Sequence, residues 1–363
     1  MLTLSQFEYH LPTELIAQTP AEPRDSSRLL VIDKQTGKLT HDRFFNLHKY
    51  LKAGDILVRN NSKVINARLL GKKTTGGSVE VLLNRELSFD ETSVTWEALT
   101  KPGLKVGQTV LFEKDSETLS ATCTGSSSAG YARILRFDAP KAKFFDTLTK
   151  LGDVPLPPYI ATMTSPKIAE LYQTTYAQLQ GSVAAPTAGL HFTPALDEKL
   201  KTAGVQIIEV TLHVGMGTFL PVKSENIQEH VMHEEVFSVS AHSAEKLNKA
   251  KAAGQRIIAV GTTTTRVLET LANQTSNHTI TSGASSTGIF IYPPYQFQFI
   301  DSMITNFHLP KSTLLMLVSA LVCQPNTNQK FSTFTESFVG KAYLEAISQN
   351  YRFFSFGDGM LIL

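Results

Sequence analysis

Val94-Thr95-Trp96-Glu97-Ala98-Leu99 is a short run of β-type residues, and it does not stand alone. Comparable runs occur at Val79–Leu83, Val106–Phe112, Leu119–Thr122 and Tyr131–Phe137. Clusters of Gly, Ser and Asp separate them, such as Gly76-Gly77 and Gly125–Ser128. Short strands at this spacing predict a small β-barrel or sandwich. Nothing from Arg68 to Phe137 has helical length or period.

On either side the texture changes. Upstream, Leu29-Leu30-Val31-Ile32 and Ile56-Leu57-Val58 read as short buried strands. Downstream, helical patterns cover Ala139–Leu151, Thr193–Ala203, Ala241–Ala253, Thr264–Asn273, Lys311–Cys323 and Phe334–Asn350. Gly204 and Gly254 stand where C-terminal caps belong. Strands are expected between these helices at Val205–Val214, Arg256–Val260, Gly288–Tyr292 and Phe353–Phe356. Alternating strands and helices call for an α/β layer. The expected architecture is an α/β main domain formed by both chain ends, 1–67 plus 153–363. A small β-barrel domain is inserted at 68–152.

The bulk numbers are those of an ordinary globular protein. Of 363 residues, 42% are apolar and 18% charged, enough for a sizeable core in about two domains. The 34 basic and 32 acidic residues leave a net charge of +2, so a nucleic-acid partner would need a local basic face. Cys123 and Cys323 lie far apart and make neither a metal-ligand pair nor a disulfide framework. Met1 to Gln18 lacks the pattern of a signal peptide. Leu314–Val322, the longest apolar run, is far short of the roughly 20 residues needed to cross a bilayer. A cytoplasmic protein with no membrane partner is expected, with no metal.

Five segments place titratable groups beside small residues. Gly181–Phe192 is a small-residue loop ending in His191, with Thr187 and Gly189 inside it. A planar or ribosyl ligand could approach its backbone, although a packed connector with a satisfied histidine reads the same way. His213-Val214-Gly215-Met216-Gly217-Thr218-Phe219 follows an expected strand. Gly215 and Gly217 could bring backbone N–H groups to a ligand, and His213 could serve as a general base. A third glycine is missing, so this is not a dinucleotide fingerprint. His230-Val231-Met232-His233-Glu234-Glu235 lacks the zinc pattern His-Glu-x-x-His. It is read as a surface or substrate-contact patch in which Glu234 is an acid–base partner. Gly261-Thr262-Thr263-Thr264-Thr265-Arg266 opens a helix, where N–H groups favour anions. Arg266 and Glu269 share a face there. Thr305–Ser312 opens another helix with His308 and Lys311 flanking a proline. Separately, Arg59, Lys63, Arg68, Lys72 and Lys73 occur with no acid between Ile56 and Val79. They suit a phosphate backbone or a solvated face equally well.

These segments together resemble the S-adenosylmethionine:tRNA ribosyltransferase-isomerases of the queuosine pathway. The resemblance also runs through Phe7–Pro12, Ile16–Pro20, Arg24–Leu30, Gly54–Val58, Pro157–Ile160, Tyr172–Ala177 and Tyr351–Asp358. It implies an α/β domain with an inserted barrel. It also implies that the ribosyl part of S-adenosylmethionine, a co-substrate, is moved to 7-aminomethyl-7-deazaguanine at the tRNA wobble position. Epoxyqueuosine would form, with release of adenine and methionine. The sulfonium makes the C5′ protons acidic and methionine a good leaving group. Such an enzyme needs a base, an acid for adenine and a route for the amine.

The expected roles follow. His213 or His191 is the candidate base. Glu234 and Glu269 orient it or stabilise the sulfonium. Arg266 with Thr262 and Thr263 holds the methionine carboxylate, beside Thr187, Gly189, Gly215 and Gly217. His308 and Lys311 contact the donor or RNA phosphate. Arg59, Lys63 and Arg68 are expected to meet the anticodon region of tRNA. The chain is expected to act as a monomer.

Asn61 stands where the resembled family usually has an acid, and Lys63 where it has an arginine. Thr264-Thr265, Pro294 and Gly359 are milder departures. Asn61 motivates a rival reading, a non-catalytic tRNA- or nucleotide-binding relative. A methyltransferase is a third reading. It would leave adenosylhomocysteine, and the usual Gly-rich loop near the N-terminus is missing.

Overall fold

The computed structural model describes residues 2–127, 130, 132–157, 159–160, 166–215, 217, 222 and 224–363, with the backbone alone of 166 and 167. Its centre is a nine-stranded mixed sheet. In spatial order the strands are Gly283–Thr287, Glu235–Val239, Gln206–Leu212, Ile56–Asn60, Ile257–Val260, Ser302–Asn306, Gly359–Ile362, Arg28–Ile32 and Leu39–Arg43. Four neighbours, from Gln206–Leu212 to Ser302–Asn306, run parallel. Their carboxyl ends therefore share one edge.

Sequence period explains why these strands sit in the middle. Ile56 and Val58 join the core on one face, and Leu57 joins the core on the other. Ile257 and Ala259 alternate with Ile258 and Val260 in the same way. Strands buried on both faces read as short continuous apolar runs.

The stretch opened by the Val94 run forms a closed six-stranded barrel from Arg68–Lys73 to Arg133–Phe137. Its interior is a separate core, with Val79, Val81, Leu83, Trp96 and Phe112 pointing inward. The helix Lys141–Leu151 plugs it with Phe144, Phe145 and Leu148. An α/β sheet built from both chain ends and an inserted barrel is thus the observed fold.

Two expected strands are displaced. Gly288–Tyr292 is irregular, and the neighbouring Gly283–Thr287 pairs with Glu235–Val239 instead. Phe353–Phe356 is buried but makes only an isolated bridge at Phe353, while the strand is Gly359–Ile362. The aromatic rings there pack on Phe307 and Tyr343, so burial came from ring packing rather than from a ladder. Among the described residues, no helix is long and apolar enough to cross a membrane.

Candidate active site

The loops leaving the shared carboxyl edge enclose a cavity of about 390 Å³. In open α/β sheets this edge is where ligands bind. One wall is the loop Ala184–Ala188, and another is Gly261 to Thr263 at the start of the helix Gly261–Asn273. Thr305 to Ser312 closes a third side, and Val214, Val222, Tyr159 and Phe354 complete it. Thr187, Thr262, Thr263, His308 and Lys311 thus line one space.

Thr187 and His308 are held from behind. Thr187 donates its hydroxyl to Asn306 Oδ1 at 3.1 Å. Asn306 Nδ2 donates to His191 Nε2 at 3.2 Å, and His191 Nδ1 meets the Ser27 hydroxyl at 2.8 Å. His191 accepts at Nε2, so its proton sits on Nδ1 and points to Ser27. His191 therefore stands one residue behind the wall, fixing the Asn306 amide. Its pKa is pushed down to about 3 by burial, with Arg352 adding to the effect. The ring is neutral near pH 7.

His308 lies on the wall itself. Its Nε2 is 2.8 Å from the Thr305 hydroxyl, and its backbone N–H donates to Tyr343 Oη at 2.9 Å. Tyr9 donates its hydroxyl to the His308 carbonyl. Burial pushes this imidazole down to about 3 as well. Lys311, also on the wall, adopts a left-handed conformation, φ 58°, and pairs with Glu8.

The threonine run divides by direction. Thr264 and Thr265 turn back to donate to the carbonyls of Val260 and Gly261 at 2.8 and 3.1 Å. Thr262 and Thr263 face the cavity, where helix N–H groups favour an anion. Arg266, one turn on, is buried in an ion pair with Glu235 and donates to the Thr287 carbonyl at 3.3 Å. It does not line the cavity. Glu269 accepts from the backbone N–H groups of Gln298, Phe299 and Ile300 at 2.8–3.0 Å and from Tyr295 Oη at 3.1 Å. It pins that loop to the helix. Gly189 is packed under Tyr176 and is also off the wall.

His213, Gly215, Gly217 and Glu234 line a second cavity, of about 220 Å³, between the sheet and the barrel. Burial, with Lys141 adding to it, pushes the His213 imidazole down to about 4. Glu234 is exposed and pairs with Arg85 at 3.3 Å. Residues 216 and 218–221 of the glycine loop lie outside the described residues, as do 131 and 158.

Of the basic run, Arg59 is buried between Asp197 at 2.7 Å and Glu209 at 3.0 Å, and it stacks on Tyr176. Lys63 is exposed, and Arg68 pairs with Glu80 at 3.1 Å on the barrel surface. Asn61 donates to Glu209 Oε2 at 3.2 Å and accepts from the Thr211 hydroxyl at 2.7 Å. A carboxylate there would face Glu209 across the same gap. Asn61 is not on the wall of the 390 Å³ cavity.

Sequence reasoning missed Asn306, Ser27 and Tyr343 as parts of this site. Asn306 lay inside a quoted motif, and its buried amide between two titratable loops was the available signal. Ser27 also lay inside a quoted motif, Arg24–Leu30, whereas Tyr343 gave no signal, because its partner is distant in the chain.

A protein of Carboxydothermus hydrogenoformans named S-adenosylmethionine:tRNA ribosyltransferase-isomerase is 50% identical to this chain over 364 residues, covering 100% of both. This chain belongs to that family. A family model described as queuosine biosynthesis protein matches residues 4–362. A ribosyltransferase-isomerase of Moorella thermoacetica is 47% identical over the full length of both. The crystal structure of an S-adenosylmethionine tRNA ribosyltransferase from Thermotoga maritima aligns with a TM-score of 0.53 at 39% identity, covering 99% of this chain and 100% of that one. As a member of the ribosyltransferase-isomerase family, the chain is a transferase of queuosine biosynthesis.

Proposed function

We propose that the 390 Å³ cavity holds S-adenosylmethionine as ribosyl donor. The acceptor in this reading is 7-aminomethyl-7-deazaguanine in the anticodon region of tRNA. Epoxyqueuosine is formed, and adenine and methionine leave. The carrying observation is the convergence of Thr187, Thr262, Thr263 and His308 on one cavity at the carboxyl edge of the parallel strands.

The residues suit the donor's parts. The N–H groups at Thr262 and Thr263 meet the methionine carboxylate. The Thr187 hydroxyl donates to Asn306, so its lone pairs face the cavity and accept from a ribose hydroxyl. Apolar side chains such as Val214 and Phe354 exclude water from the sulfonium. His308, on the wall and kept uncharged by burial, contacts the donor without adding a positive charge beside its sulfonium. His191 acts from behind through Asn306 and Thr187. Holding both substrates in register supplies much of the rate. Lys63 and Arg68 meet RNA phosphate, whereas Arg59 braces the fold beneath them. In this reading the enzyme works in the cytoplasm as a monomer.

Labelled S-adenosylmethionine incubated with tRNA carrying the aminomethyl base should yield free adenine and methionine. Adenosylhomocysteine instead would make the chain a methyltransferase. RNA binding with no product would make it the non-catalytic relative that the Asn61 departure motivated.

A further inference from the structure

The second cavity has a feature the donor site lacks. Gly181 has φ +141°, and a methyl group placed on it would lie 2.8, 2.9 and 3.2 Å from Nδ1, Cε1 and Cγ of His213. Three ring atoms at nearly equal distance mean that the imidazole lies face-on against the glycine backbone. Gly217 packs against the base of the His233 side chain, since its methyl would lie 2.6 Å from Cβ and 2.7 Å from Cγ and Cδ2. Both histidines line the one cavity. Any larger residue at 181 or 217 would push a ring into that space.

The wall between the two cavities is thin. Val183 donates its N–H to the Val214 carbonyl at 2.8 Å, and the Val214 N–H donates to the Ser182 hydroxyl at 2.9 Å. Val214 lines the donor cavity, while its neighbours His213 and Gly215 line the second. Alternate residues of an extended segment face opposite sides. Two hydrogen-bonded backbone segments therefore partition the spaces, and a group in the second cannot reach a ribosyl carbon in the first through them.

We propose that the second cavity receives an RNA nucleobase that neighbours the reacting one, stacked on His213, with His233 also lining the space. This rests on the donor-site reading above. At about 220 Å³ the space is below the roughly 300–1,000 Å³ of pockets for drug-sized ligands, and it suits one ring system with its sugar left at the rim. Unstacked single-stranded bases are read by stacking on aromatic rings and by hydrogen bonds to their edges. His213 Nδ1 is buried with no hydrogen-bond partner among the described residues, so the ring is held by packing. Arg85 and Lys141 line the space, Arg85 paired with Glu234 at 3.3 Å and Glu97 at 3.8 Å and Lys141 with Glu86 at 2.6 Å. Such surface pairs are weak and can yield to phosphate. A divalent cation is a poorer fit, since among the described residues no three His, Cys, Asp or Glu converge.

The test uses anticodon stem-loops that carry the aminomethyl base and an abasic nucleotide at one flanking position or the other. For the native enzyme, one abasic position should raise KM for RNA by about 5- to 150-fold, the equivalent of one lost base–aromatic stack. His213→Ala should raise KM for the intact loop to a similar degree and abolish the further effect of that abasic site. Gly181→Ala should do the same by displacing the ring. Affinity for S-adenosylmethionine without RNA should be unchanged in both. If His213→Ala fails to fold, His233→Ala gives the same readout from the other histidine of the lining. Penalties that add, a loss of S-adenosylmethionine affinity, or a fall in kcat with KM intact would each overturn the proposal. If the native enzyme releases no adenine with the intact loop, the donor reading fails by itself. Gel-shift affinities across the same abasic series then decide the second cavity, which is refuted if His213→Ala leaves the discrimination intact.

Discussion

The two cavities share a wall but are built by different means. The larger uses what one sheet provides at one edge: strand ends, a helix N-terminus and a buried amide relay from Ser27 to Thr187. The smaller uses mostly polar side chains from two separate elements, the sheet strand Glu235–Val239 and the barrel strand Ser78–Phe89, that meet across a gap. Groups set by backbone are rigid and suit a step that needs fixed geometry. Groups set by opposed side chains suit recognition, where a ring has to be gripped and released.

The largest effect should come from the sheet-edge cavity. His308→Ala is expected to slow adenine release about 100-fold, the scale on which misplacing a reacting group acts. A single-turnover rate within a few-fold of native would remove His308 from the chemistry and reopen the case for His213.

Glu269 tests whether position on the same helix implies a part in the reaction. Glu269→Gln keeps the shape but turns an N–H toward donors already aimed at a carboxylate. Stability should fall by about 1–3 kcal/mol in urea unfolding, with kcat and KM kept. A collapse of the rate with unaltered stability would instead place Glu269 in the active centre.

Acid should find both cavities at once. Burial holds the His191 and His308 imidazoles at about 3 and His213 at about 4, below the ordinary 6.5. Below pH 6.5 the unfolded chain takes up protons that the folded chain refuses until pH 4 and then 3. These groups therefore cost stability progressively as pH falls through that window, and nothing above it. The melting temperature should drop from pH 6.5 to 4, less steeply in His191→Asn. An equal slope in that variant would contradict the assignment.

The smallest effect belongs to the basic run. Lys63→Ala should weaken tRNA binding evenly across sequences and reduce the salt slope by about 1. Arg59→Ala should chiefly destabilise the fold, because Asp197 and Glu209 would be left without their partner. A salt slope unmoved by Lys63→Ala would shift the RNA track to another surface.

Much of the fold was legible. The barrel showed in alternating runs such as Val79–Leu83, because one face is core and the other water. The helix Ala241–Ala252 showed through its apolar spacing and the Gly254 just past its end. Gly283–Thr287 was missed because its residues carry little strand signal. Its pairing comes from Glu235–Val239 beside it. The site loops were legible as candidates, since small residues beside titratable ones are visible in order along the chain.

Sequence alone determined which segments alternate, which loops carry His191, His213, Thr262 and His308, and which family the motifs resemble. Only the tertiary structure decided their roles in space. Thr187 and His308 face one cavity, His213 faces another across two backbone segments, and Arg266 and Glu269 brace the helix behind them. The reason is physical. Period and propensity act over a few neighbouring residues, whereas the side of a wall on which a side chain emerges depends on the register of strands joined by hundreds of residues of chain.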